Sequence, residues 1–109
     1  MPQLDARTVS IKLGYAPKIE GYIDTVDAPS EVPAGQTFKV KATAKVKGRG
    51  YIWWELWEMK EGRMSRKIDY TSRQRIDTTT VTTVTYESKS ITMPNVDVYE
   101  LLIRLMYEV

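Results

Sequence analysis

From Thr37 to Lys47 the chain alternates without fault, Phe38, Val40, Ala42, Ala44 and Val46 against Lys39, Lys41, Thr43, Lys45 and Lys47. A period of two with one wet face predicts a half-buried β-strand, and the lysine ladder reads as its solvated side. The stretch Gly50 to Met59 follows and holds all three tryptophans, Trp53, Trp54 and Trp57. Read as a strand, it places Ile52, Trp54, Leu56 and Glu58 on one face. Tyr51, Trp53, Glu55, Trp57 and Met59 lie on the other. Both faces are apolar or aromatic near the middle, so one makes the core and the other is covered by something. The aliphatic neighbours of Trp54 assign it to the core. Burying one tryptophan removes about 150–250 Å² from water, roughly 4–6 kcal/mol as an upper bound.

The remaining elements are shorter. Thr8 to Leu13 alternates and stops at Gly14. Ile19 to Val26 is a strand if a bulge near Asp24-Thr25 reconciles the parities of Ile23 and Val26. Ala28 to Gln36 is rich in proline and glycine and reads as a turn. Gly48-Arg49-Gly50 is expected to turn the chain between the two strong strands. Lys60-Glu61-Gly62-Arg63 reads as a hairpin with positive φ at Gly62. Its partner strand, Met64 to Tyr70, would put Met64, Ile68 and Tyr70 on one face. In the threonine-rich run Thr78 to Tyr86, Val81 and Val84 are out of phase, which predicts a bulge or a loop ending near Thr80. Pro94-Asn95 breaks the chain before a last strand, Val96 to Val109, with Tyr99, Leu101, Ile103, Leu105, Tyr107 and Val109 on one face.

Composition narrows the chemistry. The sequence has 109 residues, enough for one domain with a single core, and a net charge of +2 that demands no anionic partner. It contains neither cysteine nor histidine, which removes disulfides, thiolate chemistry, the usual neutral-pH base and the commonest metal ligand. Met1 to Arg7 lacks the apolar core of a secretory signal, and no run approaches the roughly 18 apolar residues of a membrane span.

Seven short strands with turns between them predict an all-β, two-sheet antiparallel sandwich. Three segments resemble bacterial and archaeal Ig-like domains. Pro33-Ala34-Gly35-Gln36-Thr37-Phe38-Lys39-Val40 is similar to their lead into strand B, and Trp53 and Trp54 sit where they keep a strand C tryptophan. Met93 to Tyr99 resembles their E–F corner, with Asp97 and Tyr99 in the arrangement of a tyrosine corner. The resemblance implies an Ig-like sandwich over residues 26–109, preceded by an N-terminal segment or edge strand over 1–25. It also implies that the chain ends with strand F, so the strand G edge is filled by Thr8 to Leu13 or by a neighbouring molecule.

No catalytic constellation is found. Glu55 and Glu58 lie on opposite faces of one strand, Asp24 and Asp27 lack a calcium loop, and no phosphate loop or nucleophile elbow is present. The expectation is a non-enzymatic module with no cofactor and no metal. Its partner-binding aromatic face would be Tyr51, Trp53, Trp57 and Met59, and its partner another protein chain, self or a virion or surface assembly such as a phage or archaeal-virus particle. The alternative is a carbohydrate-binding module using the same aromatics as a stacking platform. Arg63, Arg66, Lys67, Arg73 and Arg75 form a basic patch that could grip phosphates, although the small net charge argues against nucleic acid.

Overall fold

A single strand of twenty residues, β3 (Lys41–Lys60), is the axis of the fold. The structure, a computed structural model, describes residues 4–10 and 19–109. Around β3 lie β1 (Glu20–Asp27), β4 (Arg63–Tyr70), β5 (Gln74–Glu87) and β7 (Leu101–Glu108), each antiparallel to it. A second ladder joins β2 (Thr37–Phe38) to β6 (Ile91–Thr92). All regular structure among the described residues is strand. No helix there is long and apolar enough to cross a membrane. Of the expected N-terminal strand, Thr8 to Ser10 is not in a strand, and Ile11 to Leu13 lie outside the described residues. β1 runs across the boundary expected between residues 25 and 26.

Residues 41–47 of the first strong strand pattern and all of the second form one strand in the fold, while Thr37–Phe38 of the first is set apart as β2. Gly48-Arg49-Gly50 does not reverse the chain; β3 runs through it with φ of 118° at Gly48 and 151° at Gly50. Its partners change there instead. On one side β1 gives way to β7, and on the other β5 runs past the bend as far as Ile52 before β4 takes over from Glu55.

The sheet folds over at this point. Tyr86 lies beside Ala42 in the first half of β3, yet its ring stacks on Trp54 in the second half, centroids 5.5 Å apart. Twelve residues of straight strand would separate Ala42 from Trp54 by about 40 Å. Only a sharp bend in β3 brings Tyr86 and Trp54 together. Glycine is required because both positions adopt a φ that L side chains rarely reach. A Cβ at Gly50 would also meet the Glu108 carbonyl oxygen at 2.5 Å and the Ile19 side chain. On the β5 side the bend takes extra chain: Val46 pairs with Thr82 but Gly48 with Thr78. This is the bulge the Val81–Val84 mismatch predicts, and Val81 is accordingly exposed. The Thr78 hydroxyl donates to the Thr80 carbonyl at 2.8 Å and holds the bulge locally.

The core lies on the inner face of the fold, where Val40, Ala42, Ala44, Val46, Ile52, Trp54 and Leu56 are all buried. The parity assigned to Trp54 is the one observed. Leu101, Ile103 and Leu105 of β7 pack against this core as their alternation predicts, while Tyr107 and Val109 are exposed. In β4 the expected common face fails. Register shifts leave Ser65 and Ile68 unpaired as bulges, so Ile68 packs inward while Met64 and Tyr70 are exposed. The bulge expected in β1 is present, with Asp24 the extra residue. The hairpin after β3 is also as expected, Glu61 and Gly62 both at positive φ.

Candidate functional site

Two surfaces of the folded sheet hold groups that could recognise a partner. The first is the outer face of the tryptophan half of β3. Glu55 sits at its centre, flanked at two-residue spacing by Trp53 and Trp57. The pleat brings all three to one side, and both indole N–H groups donate to the carboxylate, Trp57 at 2.8 Å and Trp53 at 3.2 Å. Lys67 and Arg104 lie 4.0 and 3.7 Å from the same carboxylate. The bond from Trp57, with help from Trp53 and the two cations, outweighs burial and holds the Glu55 carboxyl below the usual carboxylate range. Cations also cover the rings. The Arg73 guanidinium lies 4.9 Å from the Trp53 centroid, and the Lys67 ammonium 6.0 Å from that of Trp57. What covers this face is therefore the basic side chains of β4 and the link to β5. Tyr51 remains nearly half exposed, and Met59 faces the Met64 register position of β4.

Of the basic residues, Lys67 and Arg73 belong to this outer face, and Arg75 lies opposite Tyr51. Arg66 pairs instead with Glu58 on the inner parity of β3, and Arg63 closes the hairpin opposite Lys60. The patch that looks continuous in sequence is thus split between two faces.

At the open end of β3, Glu58 is buried to 9% exposure. The Tyr99 hydroxyl donates to it at 2.7 Å, and Arg66 at 3.2 Å. The Tyr99 bond is the largest influence holding the Glu58 carboxyl low, while burial and Glu58 push the Tyr99 phenol up. A tyrosine corner would send this hydroxyl to backbone a few residues upstream. Here it reaches across the fold to a carboxylate, so Asp97 and Tyr99 do not form that corner.

The second surface is a cleft of about 810 Å³ on the side of the fold between β1 and β7. Ile23 and Val26 of β1 line one wall, and Leu101 and Ile103 of β7 the other. The 28–33 loop and residues 93–98 close its end. The opposite side is tied across by hydrogen bonds to Asp69. There the Tyr86 hydroxyl donates to Asp69 at 2.6 Å, and the Lys89 amide donates to the same oxygen. Among the described residues, β1, β4, β5 and β7 each pair with β3 alone, so each leaves one edge without a strand partner. Val26, Val96 and Val98 are 50–75% exposed.

Comparison with protein-family models, curated proteins and solved structures finds no match to this chain.

The function must therefore be read from the geometry alone. The sequence brought Tyr51, Trp53, Trp57 and Met59 to one face, but it did not single out the carboxylate between the tryptophans. A signal for it was present, since a glutamate two residues from each of two tryptophans shares their face on any strand. The cleft had no local signal. It exists only because β3 bends and carries β1 and β7 to the same side.

Proposed function

We propose that this chain is a non-catalytic assembly module, an Ig-like β-sandwich that associates with other protein chains. The observation that carries the reading is the asymmetry between the two sides of the folded sheet. One is tied across by the Asp69 contacts, and the other opens an apolar cleft bordered by the edges of β1 and β7 and by exposed valines. Strand edges beside apolar surface are the usual template for pairing with another chain.

The aromatic face supports a protein partner over a sugar. Arg73 and Lys67 already lie over the rings a sugar would stack on. Those residues and Arg66 are engaged with carboxylates and rings, which disfavours a phosphate grip. A building block of a repetitive assembly, such as a phage or archaeal-virus particle, fits both the resemblance and the open side.

Light scattering on the purified chain tests the proposal. A mass above that of one 12.6 kDa chain, rising with concentration, is expected. A single-chain mass at every concentration up to the millimolar range, taken as about 1 mM, would rule the assembly reading out.

A further inference from the structure

Unpaired strand edges are shared by β1, β4, β5 and β7 and by themselves select no partner. The cleft between β1 and β7 is more selective, because its apolar and charged lining groups are kept apart. Ile23 and Val26 of β1 and Leu101 and Ile103 of β7 form apolar walls. Among the described residues its charged lining groups are Glu31 and Asp97 alone, and they belong to the two segments that close its end. The cleft is thus lined by acid without base in a chain whose net charge is +2.

Backbone bonds hold this acidic end together. The Gly35 amide donates to the Met93 carbonyl at 2.9 Å, and the Met93 amide donates to the Gln36 carbonyl at 2.9 Å. Both continue the β2–β6 ladder and keep the segment that follows Glu31 beside the one that leads to Asp97. Neither carboxylate forms an ion pair among the described residues. The Tyr99 hydroxyl, which also belongs to the lining, is already committed to Glu58.

We infer that the cleft receives a segment of a partner protein chain, an apolar run with a lysine or arginine at the end that meets Glu31 and Asp97. The inference rests on the assembly reading above and names the chemistry of the partner. Apolar side chains buried against the walls supply the affinity. The carboxylates fix which way the segment lies and turn away acidic competitors. A chain segment suits the cleft better than a small amphiphile does, because the cleft stays open along its side. Val26, Val96 and Val98 remain exposed there, whereas small-molecule sites enclose most of their ligand. A segment can leave through the open side and continue as part of a longer chain.

Two blocked peptides test the inference on the purified chain. Both carry the same run of alternating valine and threonine, preceded by arginine in one and by glutamate in the other. NMR titration is expected to show the arginine peptide binding at least about fivefold more tightly, the effect of two weak surface charge pairs. The amides of Ile23, Val26, Asp97 and Leu101 should shift. A Glu31→Gln, Asp97→Asn double variant alters only exposed positions outside the core, and in it the preference should fall to within about twofold. Equal affinity for the two peptides, no binding of either, or shifts confined to the face of Trp53 and Trp57 would overturn the inference. A preference that survives in the double variant would overturn the role of the carboxylates. Octylammonium binding as tightly as the arginine peptide would overturn the choice of a chain over a small amphiphile. An oligomer by light scattering with no arginine preference would overturn the cleft assignment and leave assembly standing. A single-chain mass with selective arginine binding would overturn self-association alone, and a single-chain mass with no binding would overturn both.

Discussion

Trp54 and Tyr86 stack with ring planes 18° apart and centroids 5.5 Å apart, although their strand positions belong to opposite halves of a bent sheet. This pair ties the halves together. Its polar ends are treated unequally: the Tyr86 hydroxyl is bonded to Asp69, while the buried Trp54 indole N–H has no partner among the described residues. Tyr86→Phe is expected to cost about 1–2 kcal/mol, because the Asp69 oxygen keeps only the Lys89 amide. Urea unfolding followed by tryptophan fluorescence measures it, and Trp54→Phe should cost less than a typical core truncation because it also removes the unpaired donor.

Gly50 is the residue the bend depends on. Gly50→Ala is expected to lower stability by about 2 kcal/mol or more, from an unfavourable φ and the close approach of the Glu108 carbonyl. Gly62→Ala is the comparison, since a Cβ there meets nothing within 4 Å and carries only the backbone strain. The unfolding midpoint should fall further for Gly50→Ala than for Gly62→Ala.

Much of this fold is legible in sequence because a strand's period is local. Trp54, Ile52 and Leu56 declare the core face by alternation, and the mismatch of Val81 with Val84 declares a bulge. Gly48 and Gly50 are legible as a break but not as a bend inside one strand. A turn and a bend ask the same thing of glycine, and only the pairing partners distinguish them. The bulges at Ser65 and Ile68 carry no glycine to mark them. The bond from Tyr99 to Glu58 spans 41 residues of sequence and depends wholly on tertiary placement.

Acid should destabilise the protein through Glu55 and Glu58. Both carboxyls are held below their ordinary range in the folded state. Their contribution is therefore full above the unfolded value of about 4.3 and is lost as pH falls through the lower folded values. Glu58→Gln should flatten the fall in thermal stability below about pH 4.3. Tyr99→Phe should raise the Glu58 pKa, so that less of this pH dependence remains; NMR titration of the Glu58 side chain checks it.

Alkali should act through the two buried phenols. Burial holds the Tyr86 and Tyr99 phenols above the usual tyrosine range, with Asp69 and Glu58 adding to it. Their folded-state preference for the proton is fully present below about pH 10, the unfolded value, and is lost as pH rises toward the folded values. Unfolding monitored by circular dichroism should begin above that pH, and phenolate absorbance from these two tyrosines should appear only with it.

Amide hydrogen exchange measured at low and high protein concentration tests the assembly account most directly. If chains associate through the open side, outward-facing amides of β1 (Glu20–Asp27) and β7 (Leu101–Glu108) gain protection as concentration rises. Amides on the opposite side, around Asp69 and Lys89, should not change. Protection that is independent of concentration at β1 and β7, or that rises only across the face of Trp53 and Trp57, would contradict it.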